Sequence, residues 1–266
     1  MAKPAKITFD QHYQQLFAER WETLRQALLQ EVNYHCLDLG AEPYYLDRAS
    51  LVAAEALGVR PGDRVLDMCA APGGKSLVLA AALAGTGFLQ SNDRSAARRQ
   101  RLQRVLEQSL PPAWQSNLEI SGHDGTNFGR YQPAAWDKIL LDAPCSSERH
   151  VLQSPPHLAQ WSPARAKNLA VQQYALLCSA LDALRPGGEL IYSTCALDER
   201  ENDQIIAKLL KKRKNQVEII PYLSPLGERT QYGWHILPDQ STGAGPIYFS
   251  KMRKKAKKPW FESHFK

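Results

Sequence analysis

The chain has 266 residues, 44% of them hydrophobic and 23% charged, which is enough for a full core without a disulfide or metal staple. No apolar stretch approaches the ~20 residues of a membrane helix, and Lys3 and Lys6 precede no apolar run, so neither a membrane span nor a secretory signal is expected. The net charge of +6 is local: residues 251–266 hold Lys251, Arg253, Lys254, Lys255, Lys257, Lys258 and Lys266 against Glu262, while residues 1–250 balance at 26 basic and 26 acidic. A neutral body with a basic tail points to a solvated or nucleic-acid-facing extension.

The first forty residues read as helical, with Leu16, Phe17, Trp21, Leu24, Leu28 and Leu29 at three- and four-residue spacings. A break at Gly40–Pro43 follows, and Asp47 is placed to cap a helix over Arg48–Leu57 that stops at Gly58. An alternation then begins. Strands are expected at Arg64–Met68, Phe88–Asn92, Asn117–Ser121, Trp136–Leu141 and Glu189–Thr194. Helices are expected at Ser76–Leu83, Ala96–Gln108, Pro163–Leu184 and Glu199–Lys212, the second with Leu102, Val105 and Leu106 as its apolar face. Such alternation calls for a parallel sheet with helices on both faces. Residues 217–250 read as short strands forming an antiparallel edge on that sheet. The expected organisation is a helical extension over 1–58, an α/β body over 59–250 and a basic tail over 251–266.

Cys36, Cys69, Cys145, Cys178 and Cys195 are odd in number and include no C-x-x-C pair, which argues against a disulfide framework and a zinc site. Reduced thiols in a cytoplasmic compartment are expected. Cys36 and Cys178 read as small core hydrophobes.

Asp67-Met68-Cys69-Ala70-Ala71-Pro72-Gly73-Gly74-Lys75-Ser76 joins the first strand of the alternation to its helix, where a doubly wound sheet binds nucleotide-like ligands. A phosphate-binding P-loop would need glycine where Cys69 stands, and the G-x-G-x-x-G spacing of dinucleotide sites is missing. S-adenosylmethionine remains, with Asp93 at the second strand end placed to accept its ribose hydroxyls. The bland alternative is a tight turn at Gly73-Gly74 and a loop acid at Asp93. Asp124 and Asp142 follow the third and fourth strands, on the same ligand-facing edge; Asp124, before Gly125, also suits an ordinary turn. Cys145 and Cys195 close the fourth and fifth strands and so border one cleft.

DMCAAPGGKS (67–76), DAPCSSERH (142–150), RPGG (185–188) and YSTCAL (192–197) together resemble the RNA cytosine-5 methyltransferases of the Sun/Fmu type, over about Phe9 to Leu210. The opening FDQHYQQLFAERWETLRQALL, the YYLDRASLVAAEALGVRPGD run and Ser147-Glu148-Arg149-His150 resemble the mitochondrial branch. The resemblance implies a class I S-adenosylmethionine-dependent, Rossmann-like fold with a mostly parallel seven-stranded sheet. It implies Cys195 as the nucleophile that adds to cytosine C6, Cys145 as the residue that helps release the covalent intermediate, and Asp142 and Lys75 as the polar pair beside them. It further implies Cys69, Ala70, Ala71, Pro72, Gly73, Gly74, Lys75, Asp93, Arg98, Asp124, Gly125 and Asp142 as the cofactor site. DNA cytosine-5 methyltransferases use the cysteine of the Pro-Cys pair instead, and Thr194-Cys195 favours the RNA type.

The expected partner is structured RNA, ribosomal first and transfer RNA second, met by a monomer without metal or membrane. Arg149-His150 and Trp161 are candidate base contacts, Trp161 equally a packing residue. Lys211–Lys214 and the tail are candidate phosphate contacts, with Trp260, Phe261 and Phe265 interleaved in the tail. Two other readings stand: a non-catalytic RNA-binding or assembly factor that keeps the cofactor fold, and a nucleotide-dependent oxidoreductase.

Overall fold

A computed structural model describes residues 7–256. The chain opens with helices α1 (Phe9–Phe17) and α2 (Trp21–Leu29), joined by a short 3-10 turn. Thr8 and Gln11 form a capping box that satisfies the first free amides of α1. The buried face is Phe9, Tyr13, Trp21, Leu24 and Leu28, while Leu16 and Leu29 from the expected apolar stripe are exposed. The helical expectation for the first forty residues ends at Leu29. An antiparallel hairpin follows, β1 (Tyr34–Leu37) and β2 (Tyr44–Asp47), with the Gly40–Pro43 break in its turn. Cys36 is exposed on this hairpin and is not a core residue. Asp47 accepts from Ala49 N at 2.8 Å and so caps α3 (Arg48–Glu55) as expected.

The alternating region supplies β3 (Arg64–Asp67), α4 (Gly74–Leu83), β4 (Phe88–Asn92), α5 (Ala96–Ser109), β5 (Leu118–Ser121), α6 (Phe128–Tyr131) and β6 (Trp136–Asp142). Two short helices that sequence periodicity missed, α7 (Glu148–Gln153) and α8 (Pro155–Ala159), precede α9 (Ala164–Ala183), β7 (Leu184–Thr194) and α10 (Asp203–Arg213). Strands β8 (Val217–Ile219), β9 (Glu228–Arg229), β10 (Trp234–Ile236) and β11 (Ile247–Lys254) finish the described chain.

The sheet runs β5-β4-β3-β6-β7-β11-β10-β9, with β8 pairing to β11. The half from β5 to β7 is parallel, and β8 to β11 join antiparallel. Among the described residues the sheet thus has nine strands, not seven, because the short segments after 217 extend its edge. Chain order reverses between β3 and β6, and ligands bind outside the strand ends at such a reversal. One buried cluster, including Ala53, Leu77 and Leu102, packs α3, α4 and α5 on one face; the other, including Phe128, Leu177 and Ile206, packs α6, α9 and α10 on the opposite face. A third cluster seats α1 and α2 on Val151, Leu152, Leu197 and Leu237, so the N-terminal helices rest on the segments that follow both strand-end cysteines.

Strand β11 crosses the boundary expected at residue 250. Lys251 and Arg253 lie 3.3 and 2.8 Å from Glu189, which Lys138 also meets at 2.7 Å. Burial works to raise the Glu189 carboxyl, but these three cations hold it at about 2. Part of the apparent basic tail therefore balances a carboxylate within the sheet. Lys257, Lys258, Trp260, Phe261, Phe265 and Lys266 lie outside the described residues.

Candidate active site

Two cavities flank the loop between β3 and α4. One, of ≈ 190 Å³, is lined by Tyr34, Tyr44, Asp67, Lys75 and Asp142, with Cys69 through Pro72 and Gly74 along its floor. The other, of ≈ 380 Å³, is lined by Asp93, Arg98, Asp124, Gly125 and Pro144, again with Cys69. Larger hollows of ≈ 420 and ≈ 490 Å³ lie toward the antiparallel edge and gather no comparable set of thiol, cation and acid.

The larger of the two loop cavities suits a nucleoside. Asp93 is buried, and its Oδ1 accepts from Ser95 N at 2.9 Å. Its Oδ2 lies 3.2 Å from Arg98 Nη1 yet receives no hydrogen bond. A buried carboxylate oxygen without a hydrogen-bond donor, on a residue that lines a cavity, is a site for hydroxyl donors, so the residues present fit the ribose of S-adenosylmethionine. Arg98 also donates to Ala71 O, tying the second strand end to the loop. Asp124 accepts from Thr126 N at 3.0 Å and its hydroxyl at 2.8 Å, which holds its carboxyl below the usual range. It is both a turn residue and part of the cavity wall. A Cβ on Gly125 would stand 2.6 Å from Leu176 Cδ2, so a larger residue in this wall would have to push that methyl aside. Gly73 lines neither cavity. Its φ of +121° turns the chain into α4, and a Cβ there would press on Val105 at 3.0 Å. Burial pushes the Cys69 thiol up, which suits a wall residue rather than a nucleophile.

At the other cavity, Lys75 Nζ donates to Asp142 Oδ2 at 2.8 Å and to Ser50 Oγ at 3.1 Å. Ser193 Oγ donates to Asp142 Oδ1 at 2.8 Å. Burial acts to lower the Lys75 ammonium but is outweighed by Asp142, then by Cys195 and Asp67, so Lys75 stays charged. Asp67 is fully buried, accepts from Ser76 Oγ at 2.7 Å, and is pushed up to about 7 by burial. Sequence reasoning assigned no role to Asp67 or Ser50; the position of Asp67 at a strand end was the available signal.

The two strand-end cysteines meet. Cys145 Sγ and Cys195 Sγ are 2.8 Å apart, and Ser147 Oγ lies 3.5 and 3.3 Å from them. Cys195 N donates to Cys145 Sγ at 3.3 Å. Ser147 adopts φ +56°, which folds the Pro144–Ser147 segment back over the end of β7. The contact with Cys195, together with burial, pushes the Cys145 thiol well up, so this sulfur keeps its proton beside Cys195.

The candidate base contacts separate. Arg149 Nη2 donates to Ala27 O at 3.3 Å and Gly243 O at 3.2 Å, an internal tie. Trp161 packs its ring 5.3 Å from Phe9 and 5.4 Å from His12, the packing role. His150 is exposed and lies 4.7 Å from the His157 ring. Among the described residues no group of His, Cys, Asp or Glu is arranged to hold a metal, and no helix is long and apolar enough to cross a membrane.

The family model described as 16S rRNA methyltransferase RsmB/F matches residues 54–253. A mitochondrial tRNA (cytosine(34)-C(5))-methyltransferase of Danio rerio is 36% identical over 222 residues, covering 79% of this chain and 60% of its own length. The 5-cytosine rRNA methyltransferase NSUN4 of Bos taurus is 37% identical over 235 residues, covering 80% and 60%. The chain thus spans about three fifths of these relatives. A crystal structure of NSun6 from Pyrococcus horikoshii with SFG is 25% identical, with a TM-score of 0.69 over 81% of this chain and 54% of that one.

Proposed function

This chain belongs to the RsmB/F methyltransferase family, and we propose that it transfers a methyl group from S-adenosylmethionine to C5 of cytosine in structured RNA. The observation that carries this reading is the pair of thiols 2.8 Å apart at neighbouring strand ends, beside the Lys75–Asp142 ion pair. S-adenosylmethionine supplies an electrophilic methyl group. Cytosine C5 alone is too weak a nucleophile, and a Cys195 thiolate adding to C6 makes it electron-rich. Asp142 accepts from the exocyclic amine of the base, and Cys145 assists elimination of Cys195 after the C5 proton leaves. Asp93 holds the ribose of the cofactor. Replacing Asp93 by alanine is expected to weaken cofactor affinity about 10- to 100-fold by calorimetry, the worth of lost charge-assisted hydrogen bonds. Unchanged affinity would place the ribose elsewhere.

The target base must leave its stack to reach the thiols. Tyr34 and Tyr45, 59% and 62% exposed, stand on the hairpin at the rim of the ≈ 190 Å³ cavity and offer faces for neighbouring bases. Tyr34→Ala with Tyr45→Ala is expected to raise the RNA KM about tenfold while leaving cofactor affinity intact, since a stacked base is worth about 1–3 kcal/mol. A KM that does not move would remove the hairpin from the RNA path.

Ribosomal RNA is the favoured substrate and transfer RNA the second; the family model is named for ribosomal RNA, and the relatives are named for one or the other. Labelled methyl transfer to separated RNA classes, followed by bisulfite sequencing, tests this. Label is expected in ribosomal RNA as 5-methylcytosine. A protein that binds cofactor but labels no RNA would instead be an RNA-binding or assembly factor.

A further inference from the structure

Two fully buried carboxyl groups, Glu148 and Glu201, lie behind the cysteines and line neither loop cavity. Their bonding is reciprocal. Glu148 follows the Cys145 segment, yet its Oε2 accepts from Leu197 N at 3.0 Å, two residues past Cys195. Glu201 follows the Cys195 segment, yet its Oε2 accepts from Ser146 N at 3.0 Å, next to Cys145. Each cysteine loop is pinned by a carboxyl group of the other. Gln173 from α9 donates to Glu201 Oε2 at 2.7 Å and Pro144 O at 2.9 Å, and Tyr13 from α1 donates to Glu148 Oε1 at 2.7 Å.

Hydrogen-bond counting fixes the proton inventory. Ser146 Oγ contacts Oε1 of both glutamates. A hydroxyl has one proton to donate, and the other partners of these carboxyl groups (a phenol, two backbone amides and a side-chain amide) are donors too. The second contact of Ser146 is therefore a hydrogen bond only when one carboxyl group is protonated. Glu148 accepts from Tyr13 on one oxygen and from Leu197 on the other, so it is the ionised member. Glu201 Oε1 meets Ser146 alone, so it carries the proton. Donation runs from Glu201 Oε1 to Ser146 Oγ and from Ser146 Oγ to Glu148 Oε1.

We propose that Glu201, Ser146 and Glu148 form a one-proton clasp that holds Cys195 against Cys145, and that loss of its proton loosens the two loops. The role assigned to the clasp in turnover rests on the two-cysteine reaction proposed above; the clasp itself does not. Glu148 and Glu201 are positioning residues, since neither lines either loop cavity. Burial raises both carboxyl groups, and with the Glu148 charge beside it Glu201 reaches about 7. The facing titratable groups are Tyr13, Tyr192, Cys145, Asp198, Arg200 and His12. Arg200 and His12 are engaged with Asp198, and among the described residues no cation forms an ion pair with either glutamate, although Arg200 also feels the Glu201 charge. Above the titration of Glu201, two negative charges would share one hydroxyl in a site without solvent.

Glutamine substitutions separate this clasp from simple packing. In Glu201→Gln the amide donates to Ser146 Oγ while its carbonyl accepts from Ser146 N and Gln173, copying the protonated state. In Glu148→Gln the amide faces groups that already donate. The full-length protein is assayed with S-adenosylmethionine and an RNA substrate from about pH 6 to pH 9. The wild-type rate is expected to turn down on the alkaline side by about tenfold, while Glu201→Gln stays within about threefold of wild type at pH 7 and shows no downturn. Glu148→Gln is expected to lose about 30-fold, as for a buried donor without an acceptor, at unchanged cofactor affinity. Alkylation of Cys195 by iodoacetamide, read by peptide mass spectrometry, follows loop geometry without RNA. Its wild-type and Glu201→Gln profiles are expected to diverge above about pH 7. Superimposed profiles in both assays would overturn the clasp even if Glu148→Gln failed to fold. A wild type without methyl transfer but with diverging alkylation would overturn the functional reading alone.

Discussion

Cys195→Ala is expected to abolish both methyl transfer and the covalent enzyme–RNA adduct, a loss of at least about a thousandfold, because no other group replaces the attacking sulfur. Cys145→Ala is expected to do the opposite to the adduct: it still forms but is not released, and it accumulates as a slow band on a denaturing gel after about one turnover. The asymmetry follows from the site. Cys145 is the sulfur pushed toward its protonated form by its neighbour and by burial, and it receives the Cys195 amide, which suits the partner proposed for it better than the nucleophile. Cys195 is the sulfur that, with Asp142, helps keep the buried Lys75 ammonium charged, so it stands beside that cation. An adduct that survives Cys195→Ala but is lost in Cys145→Ala would exchange the two roles.

How much of this site sequence could reveal depends on what carried each residue there. Asp93, Asp124, Asp142, Cys145 and Cys195 all sit at the ends of parallel strands, and strand order alone brings such ends to one edge. They were legible because alternation is a local signal and the edge rule turns it into proximity. The hairpin was not legible. Tyr34, His35 and Cys36 are all exposed, so β1 shows no alternation; its stability comes from β2, whose Tyr44 lies against Gly74 and whose Leu46 is buried. The Glu148–Ser146–Glu201 cluster was also out of reach. Two glutamates far apart in sequence read as surface charge until α1, α9 and the two cysteine loops close over them. The charge balance misled for a related reason: counting placed Lys251 and Arg253 in a tail, but pairing with Glu189 is decided by strand register, which counting does not see.

Asp142→Asn and Lys75→Met are each expected to slow adduct formation by about 100- to 1000-fold, the scale of removing one preorganised electrostatic partner. Addition of a thiolate at C6 pushes electron density onto N3 and the exocyclic amine. A carboxylate that accepts from this amine holds the ring in place, and a neighbouring ammonium balances the charge. Lys75 and Asp142 fit these two tasks as one unit, because the 2.8 Å contact is shielded and Ser50 and Ser193 fix its two ends. Each single substitution therefore removes its partner's function as well. The double variant is expected to be only slightly slower than either single one, with a coupling energy of roughly 1–3 kcal/mol in a double-mutant cycle. Cofactor affinity should be largely spared, since the pair lines the ≈ 190 Å³ cavity rather than the one that holds Asp93. Additive losses, or a cofactor affinity that falls in step with the rate, would assign Lys75 and Asp142 to the cofactor instead of the base.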